Sequence, residues 1–308
     1  IYILRHEGEE YSVAAIIEGD GANVDKIDYL DLDQDGWLEI VVGFRISDGI
    51  TKGMSVYSIE NWELSPVIQT SYFEYAFCDF DEDGGMELLA IHYDESALTG
   101  SVELFDLSST DTPNTSANLS RDILSISRIK NAKLQDGRPA VFVSSICGED
   151  TVVTDIFIMD KGTVKNITLD ELTGFSTDTM QNNIIYATDI DSDGVMELPK
   201  PEKFPSAQED SESHWKVYWY SYYSDGSPLL KWVTYHNYTD GWYFDLPEQW
   251  EDTITVSSTE NGSGERIVTF MIWRGQYLEP IPVLRFYTLS GDNKDERAKL
   301  PGRQLLQV

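Results

Sequence analysis

Residues 31–39 of the chain read DLDQDGWLE, and two further segments align with them without gaps. These segments are DFDEDGGME at residues 79–87 and DIDSDGVME at residues 189–197. Each has aspartate at positions 1, 3 and 5, glycine at position 6 and glutamate at position 9, followed by an apolar residue. A single Asp-Gly turn is common in proteins, but three matching copies indicate a repeated structural unit. We call them the first, second and third acidic loops.

A fourth, degraded copy lies at residues 134–143 and reads LQDGRPAVFV. It keeps Asp136 and Gly137, but alignment on the glycine places Ala132 at position 1, Leu134 at position 3 and Ala140 at position 9. The glycines at 36, 84, 137 and 194 are separated by 48, 53 and 57 residues. A period near 50 is typical of the blades of a β-propeller or of a similar repeated sheet.

The segments around these loops have the pattern of β-strands. Residues 38–44 and 86–91 are short and apolar, and residues 54–59 and 102–107 alternate with a period of two. No amphipathic helix of ordinary length is evident. We therefore predict a mainly all-β protein, with a propeller-like repeat domain over residues 1–235 and a small C-terminal β-rich or α+β domain over residues 236–308.

The acidic loops have the composition of calcium sites. Calcium takes six to eight oxygen ligands, and carboxylates crowded together without a cation would repel one another. The glycine at position 6 allows a sharp turn, and the glutamate at position 9 begins the next strand. We predict three Ca²⁺ ions, one for each loop, and none at the degraded copy. The predicted ligands are the carboxylates of Asp31, Asp33, Asp35, Glu39, Asp79, Asp81, Asp83, Glu87, Asp189, Asp191, Asp193 and Glu197 and the carbonyl oxygens of Trp37, Gly85 and Val195.

The three loops are expected to bind their ions independently, because about 50 residues separate each from the next and neighbouring repeats meet mainly through apolar faces.

The acidic loops resemble those of the FG-GAP or VCBS-type repeats of integrin-α-like β-propellers, over about residues 1–200. In that family a DxDxDGxxD/E loop between two blade strands holds calcium, so the resemblance implies a calcium-binding propeller. The phenylalanine-glycine and glycine-alanine-proline groups that name the repeat are not preserved, and four repeats are visible where integrin propellers have seven blades. The chain also resembles uncharacterised surface or lipoprotein-like proteins of Gram-positive gut bacteria, which continue into a segment like residues 240–250.

Net charge narrows the range of partners. The formal charge of −32 at pH 7 disfavours nucleic acids and anionic membranes and favours cations. No apolar run approaches the ~18 residues needed to cross a bilayer, so we expect no transmembrane segment in this chain. The expected location is extracellular or on the cell surface, with the signal or anchor segment outside this chain.

Function is predicted to be non-enzymatic. The chain lacks GxSxG, GxxxxGK[ST] and HExxH motifs and a GxGxxG after a strand. We expect a monomer with a role in adhesion or in binding a protein or glycan ligand, and calcium as a structural ion. The alternative is a carbohydrate-active enzyme or glycan-binding module with an acidic and aromatic cleft. The aromatic-rich residues 215–250 fit either a sugar-stacking surface or, more simply, the core of a sheet.

Overall fold

The computed structural model describes residues 1–18, 23–45, 52–108, 114–206, 214–262 and 264–306. It is an all-β protein, as predicted, built from antiparallel sheets. The chain forms two compact units. Unit 1 comprises Ile1–Leu198 and Ser221–Leu229, and unit 2 comprises Pro199–Tyr220 and Leu230–Val308.

Unit 1 contains an N-terminal hairpin and three larger sheets. Apart from the short fifth strand of the third sheet, consecutive strands are neighbours in each sheet, which is the strand order of a propeller blade. The hairpin pairs β1 (Tyr2–Glu7) with β2 (Glu10–Ile16). The first sheet contains β3 (Asn23–Leu30), β4 (Glu39–Arg45), β5 (Lys52–Glu60) and β6 (Glu63–Tyr72); the second contains β7 (Glu74–Cys78), β8 (Glu87–Asp94), β9 (Thr99–Phe105) and β10 (Thr115–Asn118); the third contains β11 (Ser125–Lys133), β12 (Pro139–Ile146), β13 (Thr151–Asp160), β14 (Thr163–Asn166) and the short β15 (Gln181–Asn182), which pairs with β13.

Strand β8 shows how these sheets are held together. Successive side chains of a strand point to opposite faces, and both faces of β8 are buried. Leu88 and Ala90 belong to the core that contains Val41 of the first sheet. Leu89 and Ile91 belong to the core shared with the third sheet. Each sheet of unit 1 therefore packs against the next one in the chain, in a propeller-like series.

Unit 2 holds most of a fourth sheet and all of a fifth. The fourth sheet contains β16 (Leu198–Lys203), β17 (Trp215–Tyr222), β18 (Pro228–Asn237) and β19 (Trp242–Asp245); the fifth contains β20 (Ile254–Asn261), β21 (Glu265–Ile272) and β22 (Ile281–Leu289). Among the described residues, the helical elements are α1 (Lys294–Ala298) and the 3₁₀ turn Glu248–Trp250 in unit 2 and the 3₁₀ turn Thr177–Thr179 in unit 1. Within the described part of the chain, no helix is long and apolar enough to cross a membrane.

The aromatic-rich residues 215–250 contribute mainly to the core of unit 2. Tyr235 is 3% exposed and packs edge-on against Phe270, and Phe244 lies against Trp250 and Phe286. The simpler interpretation of this segment, strand core with aromatic pairs, is thus confirmed for most of its rings. Tyr238 and Tyr243 are exposed.

The division into units differs from the predicted ranges 1–235 and 236–308. A boundary after residue 235 would fall inside β18. It would also cut the pairing of β18 with β19, in which Thr234 lies opposite Asp245 and Asn237 lies opposite Trp242. The observed division falls after Leu198, and the segment Ser221–Leu229, where β17 ends and β18 begins, returns to unit 1.

Candidate metal centres

The acidic loops occupy equivalent places in the fold. The first joins β3 to β4, and the second joins β7 to β8. The third is closed by a backbone bridge between Thr188 and Glu197, directly before β16. The glutamate at position 9 therefore stands at the start of the strand after each loop, where the backbone is held by its neighbours.

The backbone of the three loops has the same left-handed residues. Position 4 has φ between 61° and 63° at Gln34, Glu82 and Ser192, and position 6 has φ between 87° and 94° at Gly36, Gly84 and Gly194. A β-carbon on any of these glycines would meet no atom within 4 Å. Glycine is therefore favoured at position 6 by its backbone conformation and not by lack of space.

Each carboxylate of a loop accepts a hydrogen bond from a backbone N–H of the same loop. Position 1 accepts from position 6, position 3 from position 5, position 5 from position 7, and position 9 from position 2, in all three loops. In the first loop these bonds join Asp31 to Gly36 at 3.1 Å, Asp33 to Asp35 at 3.2 Å, Asp35 to Trp37 at 2.7 Å and Glu39 to Leu32 at 2.7 Å.

Positions 1, 3 and 9 bring their carboxylates together. In each loop, one oxygen from each of these three residues lies within 4.8 Å of the others; the groups are Asp31, Asp33 and Glu39; Asp79, Asp81 and Glu87; and Asp189, Asp191 and Glu197. Carboxylate oxygens alone suit a hard cation such as calcium or magnesium, and not zinc or copper. Nine of the predicted ligands therefore converge on three places that fit such an ion.

The predicted ligands at positions 5 and 7 differ in their surroundings from those at positions 1, 3 and 9. The carboxylates of Asp35, Asp83 and Asp193 lie outside these groups of three. One oxygen of each accepts the N–H of position 7, namely Trp37, Gly85 and Val195, at 2.7–2.8 Å. The position-5 carboxylate thus shapes the loop, and its role as a ligand, like that of the position-7 carbonyl, stays a prediction.

Several oxygens in these groups are buried without a hydrogen-bond partner. Glu39 and Glu197 are 0% exposed, and their Oε1 atoms have no partner. Asp31 Oδ1 and Asp79 Oδ1 are likewise buried and unpartnered. Burying an ionised carboxylate without a partner is costly, so these atoms fit the coordination of a cation.

Burial also changes the acidity of the position-9 glutamates. Burial, reinforced by the neighbouring aspartates, raises the pKa of Glu87 and of Glu197 from 4.5 to about 7, against the lowering effect of the backbone N–H that each accepts. The pKa of Glu39 is raised for the same reasons. A bound cation would oppose this effect by stabilising the charged form.

The degraded copy folds as a turn with different partners. Gly137 has φ 85°, and its N–H donates to Leu134 O at 2.9 Å. The Asp136 carboxylate accepts from both N and Oγ of Ser224, at 3.2 and 2.6 Å. Leu134 is 1% exposed and presents hydrocarbon at position 3. The one acid that the degraded copy retains, Asp136, is therefore bonded to the turn between β17 and β18. No cluster of three acids forms there among the described residues.

Sequence reasoning missed an open cleft of about 1660 Å³ in unit 1. It lies at the ends of the strands opposite the acidic loops, since β8 begins at Glu87 in the second loop and ends at Asp94 in the cleft wall. Its lining includes Phe73 and Tyr93, whose rings pack edge-on with centroids 5.5 Å apart. No motif marks the cleft, because its residues come from many separate strands.

Comparison with known proteins identifies no family. No family model matches the chain, and no curated protein matches it. A solved structure titled as an exotype rhamnogalacturonan lyase, YesX, shares 10% identity over 86% of this chain and 56% of the lyase, with a TM-score of 0.40. The chain thus spans little more than half of the lyase's length. The β-propeller domain of the Trilobed protease from Pyrococcus furiosus shares 10% identity over 87% of this chain and 84% of that domain, with a TM-score of 0.36.

Proposed function

We propose that this protein is a non-enzymatic, calcium-binding protein that works outside the cytoplasm, with three structural ions in the acidic loops. The observation that carries the proposal is that each of the three acidic groups contains a carboxylate with a buried oxygen that has no hydrogen-bond partner, in Asp31, Glu39, Asp79 and Glu197. Extracellular calcium is abundant enough to fill sites of modest affinity. The FG-GAP-like pattern of the loops supports the same assignment.

Calcium would act here as a crosslink between strands. In the first and second loops, position 1 follows the end of one strand and position 9 begins the next. An ion held by both would fix the two strands at the point where they separate. A ligand that binds only the folded state stabilises it by mass action.

The test is metal analysis and thermal melting of the purified protein. We expect three calcium ions per chain after calcium saturation and dialysis, and a melting temperature that falls in chelator and recovers with calcium. Four ions would contradict the assignment of the degraded copy, and no bound calcium would contradict the proposal as a whole. Magnesium at the same concentration is the control for ion selectivity.

The ligand-binding role is assigned to the cleft of unit 1. Aromatic rings, hydroxyl groups, carboxylates and cations line it together, which suits a polar ligand such as a glycan. The Asp94 carboxylate in its wall accepts bonds from Ser96 and Ala97, which lower its pKa, so it is poorly suited to be a general acid. Asp94 is therefore not a candidate acid for a glycan-cleaving enzyme, and the proposed glycan-binding role rests on the mixed lining of the cleft.

A glycan array probed with calcium-loaded protein tests this assignment. Phe73→Ala should weaken any binding that is found, whereas Tyr277→Ala, which changes an exposed ring of unit 2, should not. If Phe73→Ala bound the glycan as well as Tyr277→Ala does, the glycan site would lie outside the cleft. Turnover of a polysaccharide that is lost on changing an acid outside the loops would contradict the non-enzymatic role.

A further inference from the structure

The first and second acidic loops touch each other through one side chain. Gln34, at position 4 of the first loop, donates a hydrogen bond from Nε2 to Oδ1 of Asp83, at position 5 of the second, at 2.7 Å. The same Asp83 oxygen accepts the N–H of Gly85 at 2.7 Å. Gln34, Asp83 and the backbone of Gly85 thus form one bonded group that spans two loops.

The residue at position 7 of the second loop fits this contact. A β-carbon on Gly85 would lie 2.6 Å from Nε2 and 3.3 Å from Cγ of Gln34. A larger residue at position 85 would therefore require the Gln34 side chain to move. The other two loops carry Trp37 and Val195 at position 7. Glycine at position 7 of the second loop is thus compatible with the contact that Gln34 makes.

The third loop is supported in another way. Lys133, next to the turn of the degraded copy, donates its N–H to Gly194 O and accepts the N–H of Met196, both at 3.1 Å. These bonds flank Val195, so the third loop is held by a repeat that has no acidic group of its own. The side chain of Lys133 lies 4.0 Å from Glu82 of the second loop, but both groups are more than half exposed, and such pairs contribute little.

We propose that Gln34 is a positioning residue of the second metal centre and that it couples the first and second centres, so that calcium binds to these two cooperatively. The inference rests on the proposed calcium function. An ion in the first loop restrains the backbone that carries Gln34, and Gln34 in turn restrains Asp83 and Gly85. Coupling of this kind is reciprocal by thermodynamic necessity. The third centre should bind independently, which revises the expectation of three independent loops.

Calorimetric titration of metal-free protein with calcium tests the proposal through two variants of similar length. Gln34→Met removes the donor, and Gln34→Lys keeps one. We expect Gln34→Met to weaken the second centre about three- to tenfold, the usual range for loss of one hydrogen bond, and to remove the cooperativity. Gln34→Lys should keep the cooperativity, although its positive charge lowers the calcium affinity of both neighbouring centres. Ser192→Met, at position 4 of the third loop with φ 63°, controls for the cost of a methionine in a left-handed conformation.

A double-mutant cycle separates coupling from local strain. Asp31→Asn should empty the first centre and weaken the second, and in the Gln34→Met background it should weaken the second no further. Unchanged affinities in Gln34→Met, or loss of the cooperativity in the lysine variant as well as in the methionine variant, would overturn the proposal while three ions still bind. Absence of calcium binding by the unmodified protein would instead contradict the proposed function.

Discussion

At the scale of single residues, four loop carboxylates each use one oxygen for a backbone bond and leave the other buried without a hydrogen-bond partner; they are Asp31, Glu39, Asp79 and Glu197. Glu39 Oε2 accepts the N–H of Leu32, and Glu39 Oε1 is left without a partner. Asp31 Oδ2 accepts the N–H of Gly36, and Asp31 Oδ1 also has no hydrogen-bond partner. The loop can therefore fold on its backbone bonds alone, but it keeps an electrostatic cost that a cation would remove.

Glu39→Gln should have opposite effects with and without calcium. It removes a buried charge and can still accept the Leu32 N–H, so the metal-free melting temperature should stay the same or rise. In calcium it should remove one ion, leave two, and reduce the rise in melting temperature. Glu82→Gln, on an exposed side chain at position 4, should keep all three. Three ions bound to Glu39→Gln would contradict the assignment of the first centre.

The stability of the metal-free protein should depend on pH in a defined window. Glu87 and Glu197 have a pKa of about 7 in the folded chain against an ordinary value of 4.5, so the folded state binds their protons more tightly. Their contribution is complete below pH 4.5 and is lost as the pH rises through 7. The melting temperature in chelator should therefore fall between pH 5 and pH 8. The double variant Glu87→Gln, Glu197→Gln should lack this part of the fall, and saturating calcium should abolish it.

At the scale of elements, a buried carboxylate on β13 holds together segments that have no regular structure. Asp155 is 0% exposed and accepts bonds from Ser120 N and Oγ, both at 2.9 Å, from Asn166 Nδ2 at 2.8 Å and from Ser176 Oγ at 2.6 Å. Burial raises the pKa of Asp155, and these hydrogen bonds oppose the rise. The network fixes the segment after β10 and the segment before the first 3₁₀ turn against the third sheet.

Asp155→Ala should lower the free energy of unfolding by about 2–4 kcal/mol, because it leaves several buried donors without an acceptor. Denaturant unfolding measures this loss. Asp160→Ala, at the end of the same strand, removes a surface pair with Lys165 and should have a much smaller effect on the free energy of unfolding. Equal effects of the two substitutions would contradict the structural role of the network.

At the scale of the whole molecule, the candidate ions and the candidate ligand site belong to one unit. All three acidic loops and the cleft lie in unit 1. Unit 2 has its own core of apolar and aromatic side chains, centred on Tyr235 and Phe270. Compact units with separate cores can unfold separately.

Scanning calorimetry should therefore show two transitions, of which only one responds to calcium. Chelator should lower the transition of unit 1 and leave that of unit 2 in place, because ligand stabilisation acts on the unit that binds. Phe270→Ala, in the core of unit 2, should lower the other transition without changing the calcium response. A calcium shift of both transitions by the same amount would contradict this separation.

The sequence by itself determined the β class, the three acidic loops and the loss of the acidic group in the degraded copy. Each of these depends on residues within about ten positions of one another, since glycine at position 6 and the carboxylate-to-backbone bonds are local. Position 5 shows where this reasoning was incomplete: Asp35 was predicted from its spacing as a ligand, and its bond to the N–H of Trp37 depends on the folded shape of the loop.

Only the tertiary structure decided which loops touch and where a ligand could bind. Gln34 and Asp83 are 49 residues apart, and Asp136 and Ser224 are 88 apart. The cleft gathers the ends of many strands. Unit 1 also includes Ser221–Leu229, which follow the first part of unit 2 along the chain. Such contacts depend on how whole sheets pack, and the spacing of residues within one repeat carries no information about the side chains that the next repeat brings against it.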